Sequence, residues 1–201
     1  MGACAATGLI TMRLPADAVL LVIDAQEAID DPRHAAGDVP VADQNIATLI
    51  AAWRAEGLLL VHVDKQATAL ASRLAPAVAP LDGEIVIVRM AKSAFVGADL
   101  EARLDELGAT TLVLCGTLAT HALEASARHA GDLGYQVFVV ADACRVSDTV
   151  DLRGRLWPAE DVRALSLAHL KGETATIVDV ATALRAAATA KARQRRGAGR
   201  A

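Results

Sequence analysis

The chain has 201 residues, of which 54% are hydrophobic, and its formal net charge is −4. This length fits one domain, because single hydrophobic cores stop growing at roughly 250–300 residues. A low net charge combined with a high apolar fraction excludes disorder of the whole chain. No apolar run approaches the ~20 residues of a membrane-spanning helix. We therefore expect one folded domain with no membrane partner.

The apolar content comes from small side chains, since 45 of the 201 residues are alanine and five are aromatic. The three cysteines (Cys4, Cys115 and Cys144) form no C-x-x-C pair, and the first residues are not expected to form a signal peptide. A secreted disulfide framework is therefore not expected, and a reducing cytoplasm is the predicted location.

Charge is unevenly distributed along the chain. Residues 191–201 hold five cations and no acid, which leaves 15 Lys and Arg against 24 Asp and Glu in residues 1–190, a net charge of −9. The negative net charge of residues 1–190 excludes a nucleic-acid-binding surface spread over the fold. The basic C-terminal residues are interpreted as a solubilising tail. We predict an N-terminal tail over residues 1–13, a domain over 14–187 and a disordered basic tail over 188–201.

Short apolar runs alternate with helical patterns along the domain. The predicted strands span residues 18–23, 58–63, 85–88, 111–115, 136–140 and 175–178. The predicted helices cover residues 46–53, 100–107, about 120–132, 158–170 and the alanine-rich C-terminal end. This alternation predicts a three-layer α/β fold, in which helices cover both faces of a mostly parallel sheet of five to six strands.

In such sheets, ligands bind beyond the carboxyl ends of the strands, where the strand order reverses. That rule directs attention to Asp24, Arg89, residues 116–123 and Asp142, each near the end of a predicted strand. On position alone, a structural role for Asp24, either as a helix cap or as an acid that orders the loop, is as well supported as a functional role. The turn over residues 116–123 offers backbone N–H groups to a carboxylate or a developing oxyanion.

Four separated motifs occur in one order along residues 17–185. They are Val22-Ile23-Asp24-Ala25-Gln26; Arg89 followed by Ser93-Ala94-Phe95 and Gly97-Ala98-Asp99-Leu100; Gly116 leading to Gly134-Tyr135 and Val140-Ala141-Asp142-Ala143; and Pro158 leading to Ser166-Leu167-Ala168 and Leu170. Together they resemble the isochorismatase-like hydrolase superfamily, which includes cysteine amidases such as nicotinamidase.

The resemblance implies a catalytic set that this chain matches only in part. The amidases use an aspartate, a lysine and a cysteine nucleophile. The matching positions here hold Asp24, Arg89 (four residues before Ser93) and Ala122 (six residues after Gly116). A methyl group cannot attack a carbonyl, so covalent chemistry at Ala122 is excluded. The resemblance also implies that the following residues contact substrate: Gln26, Phe95, Ala119, Thr120 and His121.

Isochorismatases proper carry a small residue at the nucleophile position and hydrolyse a vinyl ether, with the aspartate as acid. The resemblance therefore implies a hydrolase of a small, anionic metabolite that forms no covalent intermediate, with Asp24 moving the proton. Arg89 would either bind a substrate carboxylate or pair with Asp24 and make it a poorer acid.

Alternatives to this enzyme stay open at the level of the sequence. If the Asp24–Arg89 pair merely seals a vestigial pocket, the chain is an inactive family member that binds a metabolite or a protein partner. An engineered replacement of cysteine by Ala122 is a third interpretation. Arg89 argues against an engineered change, because replacing the cysteine alone would inactivate the enzyme and would not require arginine at the position of the lysine as well.

Other features indicate no cofactor and no metal. Residues 64–66 (Asp-Lys-Gln) lack the Asp-x-His of the metal-binding nicotinamidases, and the glycines form no nucleotide-binding motif. His62 is interpreted as a core histidine, and Cys115 and Cys144 as buried structural thiols. The family generally forms homodimers or higher homo-oligomers, so we expect the same of this chain.

Overall fold

The computed structural model describes residues 12–25, 39–65, 77–117 and 122–198. The strands are β1 (Val19–Ile23), β2 (Leu59–Lys65), β3 (Ile85–Arg89), β4 (Thr111–Thr117), β5 (Gln136–Arg145), β6 (Thr149–Val150), β7 (Leu156–Trp157) and β8 (Thr176–Val178). The helices are α1 (Val39–Glu56), α2 (Leu100–Glu106), α3 (Ala122–Asp132), α4 (Ala159–Leu170) and α5 (Val180–Ala198).

The main sheet has six strands in the order β3-β2-β1-β4-β5-β8, and every neighbouring pair is parallel. All five residues of β1 are buried, as a continuous apolar run predicts for a central strand covered on both faces. The order reverses between β1 and β4, so the carboxyl ends of these two strands form the topological switch point. The predicted mostly parallel α/β fold is confirmed.

Helices cover both faces of this sheet. Helices α2, α3 and α4 pack on one face, whereas α1 and α5 pack on the other, and each face has its own apolar cluster. The alanine-rich composition has a clear use in α5. There Ala183, Ala186, Ala187 and Ala190 are buried at helical spacing, and their small side chains allow close packing against α1.

Strand β5 is longer than predicted. The polar Asp142 suggests a strand end near residue 140, but Asp142 lies inside β5, which continues to Arg145. The carboxylate is accommodated because its Oδ1 accepts a 2.8 Å hydrogen bond from the backbone N–H of Val180, at the start of α5. Its carbonyl accepts a second bond from Asn45 Nδ2, at 2.7 Å. Asp142 therefore joins α5 and α1 to the sheet.

Strands β6 and β7 form a separate antiparallel hairpin that the sequence analysis did not predict. Each strand has only two residues, which is too short for an apolar periodicity to be visible. We call residues 149–157 the hairpin.

The ends of the fold differ from the boundaries expected from sequence. Met12, inside the expected tail, is buried together with Leu14 in the apolar cluster beneath α1. Helix α5 continues to Ala198, eleven residues past the expected domain end at 187. Alanine, arginine, lysine and glutamine all favour helix, which explains why the cation-rich segment extends α5. None of the described helices is long and apolar enough to cross a membrane.

Candidate active site

Asp24 lies directly after β1, at the carboxyl edge of the sheet, and is 1% exposed. Its backbone has φ +49°, and among the described residues it is the one non-glycine residue with a positive φ. The left-handed region is sparsely populated by non-glycine residues, although aspartate tolerates it better than most. The Asp24 N–H donates to the Val63 carbonyl at 2.8 Å, which ties this conformation to β2.

The neighbouring strand β4 supports Asp24 from the other side. The Thr117 hydroxyl donates to the Asp24 carbonyl oxygen at 2.7 Å. Gly116 has φ +125°, and a Cβ added there would lie 1.9 Å from the Ile23 carbonyl oxygen. Glycine is therefore required at 116, because any side chain would push β4 away from the residue that precedes Asp24.

Arg89, the last residue of β3, reaches the Asp24 carboxylate across the end of β2. Its Nε donates to Asp24 Oδ1 at 2.9 Å and to Oδ2 at 3.1 Å, and its Nη2 also donates to Oδ2. Nη1 donates to the Ala91 carbonyl at 2.7 Å. Arg89 is 4% exposed, so this is a buried pair in which one guanidinium bonds both carboxylate oxygens.

Asp64, on β2, is a second acid at this edge that the sequence analysis considered only as part of a missing metal motif. It is partly buried, follows the Val63 that pairs with Ile23 of β1, and pairs with Val88 of β3, the residue before Arg89, so that it interacts electrostatically with both Asp24 and Arg89. The pKa of Asp64 is raised to about 6, mainly by burial and also by the charge of Asp24, while the charge of Arg89 opposes the shift. Asp24, Asp64 and Arg89 therefore bring two carboxyl groups and a guanidinium together in the described part of the site.

Ala122 is the first residue of α3 and is fully buried. Its carbonyl accepts a 2.7 Å hydrogen bond from the Ser126 hydroxyl, and that hydroxyl accepts a 2.9 Å bond from the Ala94 N–H. The loop that follows Arg89 is thereby fixed to the first turn of α3. This contact links the Arg89 and Ala122 parts of the site.

Phe95, predicted to contact substrate, packs in the core. It is 7% exposed, and its ring centroid lies 5.2 Å from that of His129 and 6.1 Å from that of Tyr135. Ser93 Oγ lies 3.0 Å from His129 Nδ1 and accepts a bond from the Phe95 N–H at 3.2 Å. In the structure, Ser93 and Phe95 anchor their loop to α3.

Arg145, at the end of β5, is a site residue that the sequence analysis missed. Its Nη1 donates to the Ala25 carbonyl at 2.7 Å, and its Nε pairs with Asp43 of α1. Arg145 is 7% exposed. It holds the peptide that follows Asp24 from the α1 side of the sheet. Because the strand was expected to end before residue 145, nothing in the sequence placed this arginine at the carboxyl edge.

Neither described cysteine can supply a thiolate to this site. Cys115 and Cys144 are free and fully buried. Burial raises the pKa of the Cys115 thiol far above its usual value and that of Cys144 to about 12. His62 is 3% exposed, and its Nε2 lies 2.9 Å from Glu84 Oε2. These three residues occupy core positions, as predicted.

Part of the predicted site lies outside the described residues. This applies to Gln26, Ala119, Thr120 and His121, so their predicted contacts with substrate stay predictions. Within the described ranges, no group of three or more histidine, cysteine, aspartate or glutamate side chains is placed to hold a metal ion.

The fold is that of an α/β protein, and the residues around Asp24 form a candidate small-molecule site at its topological switch point. A sequence model of the Isochorismatase domain matches residues 18–182. Because that match spans most of the chain, the protein belongs to the isochorismatase family. The predicted family is thus confirmed.

Individual relatives agree with this assignment. The chain is 31% identical over 169 residues to the uncharacterized isochorismatase family protein YddQ of Bacillus subtilis, a match that covers 79% of this chain and 93% of the relative. Among solved structures, it is similar to an isochorismatase-family protein from Chromobacterium violaceum, with 37% identity, a TM-score of 0.81 and coverage of 89% and 98% of the two chains. It is also similar to an isochorismatase from Pseudomonas putida, with 29% identity, a TM-score of 0.78 and coverage of 85% and 92%.

Proposed function

We propose that this chain is a hydrolase of a small anionic metabolite that acts without a covalent enzyme intermediate. The observation that carries the proposal is Asp24, a buried carboxylate in a left-handed backbone conformation at the switch point. Such conformations are costly and persist where the surroundings enforce them, and they cluster at active sites. Bonds from Thr117 and to Val63 enforce this one.

In this mechanism, Asp24 transfers the proton and Arg89 binds the anionic group of the substrate. Arg89 bonds both oxygens of the Asp24 carboxylate. An anionic substrate that reaches Arg89 competes with Asp24 for the guanidinium. The Asp24 carboxyl group, released from Arg89, acts as an acid toward the substrate and then as a base toward the attacking water, which returns it to its starting state.

The noncovalent character of the reaction rests on the absence of a suitable nucleophile among the described residues at this edge. Ala122 offers only a methyl group, and burial disfavours the thiolates of Cys115 and Cys144. The Pseudomonas putida relative is an isochorismatase. That relationship supports a vinyl ether that bears a carboxylate as the first substrate class to test.

A second candidate function is a non-catalytic binder of a metabolite or protein partner. The observation that favours it is the closeness of the Asp24–Arg89 pair, since both side chains are less than 5% exposed. A pair that serves only to fill a vestigial pocket would have the same burial. The two functions differ in whether removal of the Asp24 charge abolishes a reaction or changes only a binding affinity.

The test is turnover of a panel of carboxylate-bearing vinyl ethers, esters and amides by the full chain. We expect turnover of at least one compound and its loss, by at least about a hundredfold, in Asp24→Asn. The control is Asp82→Asn, which makes the same chemical change at an exposed position. Turnover unchanged in Asp24→Asn would eliminate the proposed role. No turnover of any compound, with thermal stabilisation by a ligand that persists in Asp24→Asn, would support the binder.

A gain-of-function variant tests the noncovalent step separately. Ala122→Cys introduces a thiol at the first residue of α3, and we expect no new amidase activity from it, because Arg89 stands where the amidases have lysine. Amidase activity together with a covalent thioester adduct detected by mass spectrometry would show that only the nucleophile is missing. We would then abandon the noncovalent mechanism.

We also propose that the protein works in a reducing compartment such as the cytoplasm. Cys115 and Cys144 are both free thiols in the core. This is the usual state of cysteine where glutathione keeps thiols reduced. Thiol counting on protein purified with an alkylating agent checks it, and a disulfide involving either residue would contradict it.

A further inference from the structure

Asp64 is an acid at the candidate site to which the described part of the fold offers no hydrogen-bond partner. Its side chain is partly buried, yet it makes no hydrogen bond and no ion pair to any residue that the structure describes. The neighbouring acids differ in this respect, since Asp24 bonds to Arg89 and Asp43 pairs with Arg145. Burial of a carboxylate without such bonds costs free energy, so each case in a folded protein requires a specific explanation.

A structural role does not explain Asp64. Aspartates with such a role in this chain bond to the backbone at the start of a helix. Asp148 Oδ1 accepts a bond from the Ala159 N–H of α4 at 2.8 Å, and Asp179 Oδ1 accepts one from the Thr182 N–H of α5 at 2.7 Å. Asp64 caps no described helix, and because burial raises its pKa, its negative charge lowers the stability of the folded state. A role in binding is the remaining explanation.

The backbone places Asp64 beside the Asp24–Arg89 pair. The Val63 carbonyl accepts the 2.8 Å bond from the Asp24 N–H, and Asp64 is the next residue of β2. On its other side, Asp64 pairs with Val88 of β3, and Arg89 is the next residue of that strand. Neighbouring strands of a sheet lie about 4.8 Å apart. A small ligand that contacts Arg89 is therefore also within reach of Asp64.

The charges in this part of the site favour a ligand that has a positive group as well as a negative one. Asp24 and Arg89 form an ion pair whose two charges cancel, and ionised Asp64 adds a negative charge next to it. A substrate carboxylate that replaces Asp24 at Arg89 brings a second negative charge close to Asp64, and like charges repel. An ammonium group on the same substrate removes this repulsion and donates a charge-assisted hydrogen bond to the Asp64 carboxylate.

We propose that the substrate carries a carboxylate and an ammonium group joined by a short spacer, and that Arg89 binds the carboxylate while Asp64 binds the ammonium group. The inference rests on the proposed function, which supplies the position of the site and the anionic group at Arg89. It adds a substrate class, namely amino acids and derivatives that keep both charges. Asp64 is then the residue that distinguishes such compounds from simple carboxylates.

Binding of matched ligand pairs tests this substrate class without any reaction. The probes are glycine, β-alanine, γ-aminobutyrate and δ-aminovalerate, and each is compared with the acid of the same chain length that lacks the amino group. Thermal-shift titration of the full chain gives the dissociation constants. We expect at least one amino acid to bind about tenfold more tightly than its matched acid or better, because a charge-assisted bond is gained.

Variants of Asp64 identify the group that recognises the amine. Asp64→Asn should remove the preference for the amino acid, while the matched acid binds at least as well as before because the repulsion is gone. Asp64→Glu keeps the charge on a longer side chain, so the preference should persist and shift toward a shorter amino acid. Asp82→Asn, at an exposed aspartate, is the control and should bind like wild type. Thermal melting without ligand verifies that each variant folds.

Two binding results would overturn the inference: a wild type that prefers no amino acid over its matched acid, and a preference that survives in Asp64→Asn. Turnover separates this inference from the proposed function. If the protein hydrolyses carboxylate-bearing compounds but does not favour an amino compound over its hydroxyl analogue, the substrate class is wrong and the hydrolase stands. Amino-acid binding that depends on Asp64, without turnover of any compound, would support the ligand class and contradict the hydrolase.

Discussion

At the residue scale, the buried Asp24–Arg89 pair is the most consequential contact of the site. Removing one partner of a buried ion pair leaves the other charge in a poorly solvated place, which typically costs about 3–5 kcal/mol. We therefore predict that Arg89→Met lowers the free energy of unfolding by an amount in this range, measured by urea denaturation. The double variant Asp24→Asn/Arg89→Met should recover part of the loss, because it removes both charges.

Arg103→Met is the matched control for that prediction. Arg103 pairs with Glu106 at 2.8 Å, but both side chains are about half exposed or more, and exposed pairs contribute about 0–1 kcal/mol. If Arg89→Met destabilises the protein no more than Arg103→Met does, the Asp24 carboxylate is well solvated in solution. The proposed competition between substrate and Asp24 for Arg89 would then no longer be supported.

The raised pKa of Asp64 predicts how the free energy of unfolding depends on pH. Its pKa is raised from 3.8 to about 6 in the folded state, mainly by burial. The folded state therefore binds more protons than the unfolded state between these values, so stability falls as pH rises through about 4 to 6 and stays lower above it. Asp64→Asn removes this loss. The shift corresponds to roughly 3 kcal/mol, which partial exposure reduces to about 1–2 kcal/mol.

Unfolding of wild type and Asp64→Asn at several pH values tests this prediction. We expect the variant to be the more stable protein at pH 8, with the difference vanishing near pH 4. Asp82→Asn, at an exposed aspartate, should change little at either pH. A constant difference at all pH values would mean that burial of Asp64 does not perturb its titration.

At the scale of elements, the junction of β1 and β4 sets the geometry of the site. Gly116→Ala would place a Cβ 1.9 Å from the Ile23 carbonyl oxygen, in a backbone conformation that alanine also disfavours. Gly134→Ala is the matched control, because Gly134 has φ +90° with no atom within 4 Å of the added Cβ. We predict a loss of about 1 kcal/mol for Gly134→Ala and clearly more for Gly116→Ala, since strain and overpacking add. Equal melting temperatures for the two variants would contradict the tight β1–β4 contact.

The same junction shows what the sequence could and could not predict. Continuous apolar runs identified the buried parallel strands, because a strand covered on both faces has no polar side to interrupt it. The end of β5 was misplaced because Asp142 is polar, yet its carboxylate is satisfied by the N–H of Val180, 38 residues later in the chain. Contacts of that kind depend on tertiary structure, which local pattern does not encode.

The candidate site was predictable to a similar extent. Asp24 and Arg89 could be located because each follows or ends an apolar run, and the sheet brings their side chains together. Asp64 and Arg145 were missed for a different reason. Their positions depend on strand register and on the true end of β5, and neither is visible in spacing alone.

At the scale of the whole molecule, positive charge is concentrated at the C-terminal end of α5 and beyond it. Ala183, Ala186, Ala187 and Ala190 of this helix are buried, and residues 191–201 carry five of the 20 Lys and Arg residues. Their removal changes the net charge from −4 to −9, because 15 cations then face 24 acids. More charge of one sign disfavours the compact state slightly, whereas the packed contacts of the described core are untouched.

We therefore predict that a chain ending at Ala190 unfolds within about 0.5 kcal/mol of the full chain, while its electrophoretic mobility toward the anode increases. Two alanines of α5 calibrate the measurement, since Ala187 is fully buried and Ala188 is exposed. Ala187→Asp should destabilise the protein by several times more than Ala188→Asp, because only the former buries a charge against α1. A truncation as damaging as Ala187→Asp would mean that the cationic turns of α5 pack on the domain, and that the basic end is a structural part of the fold.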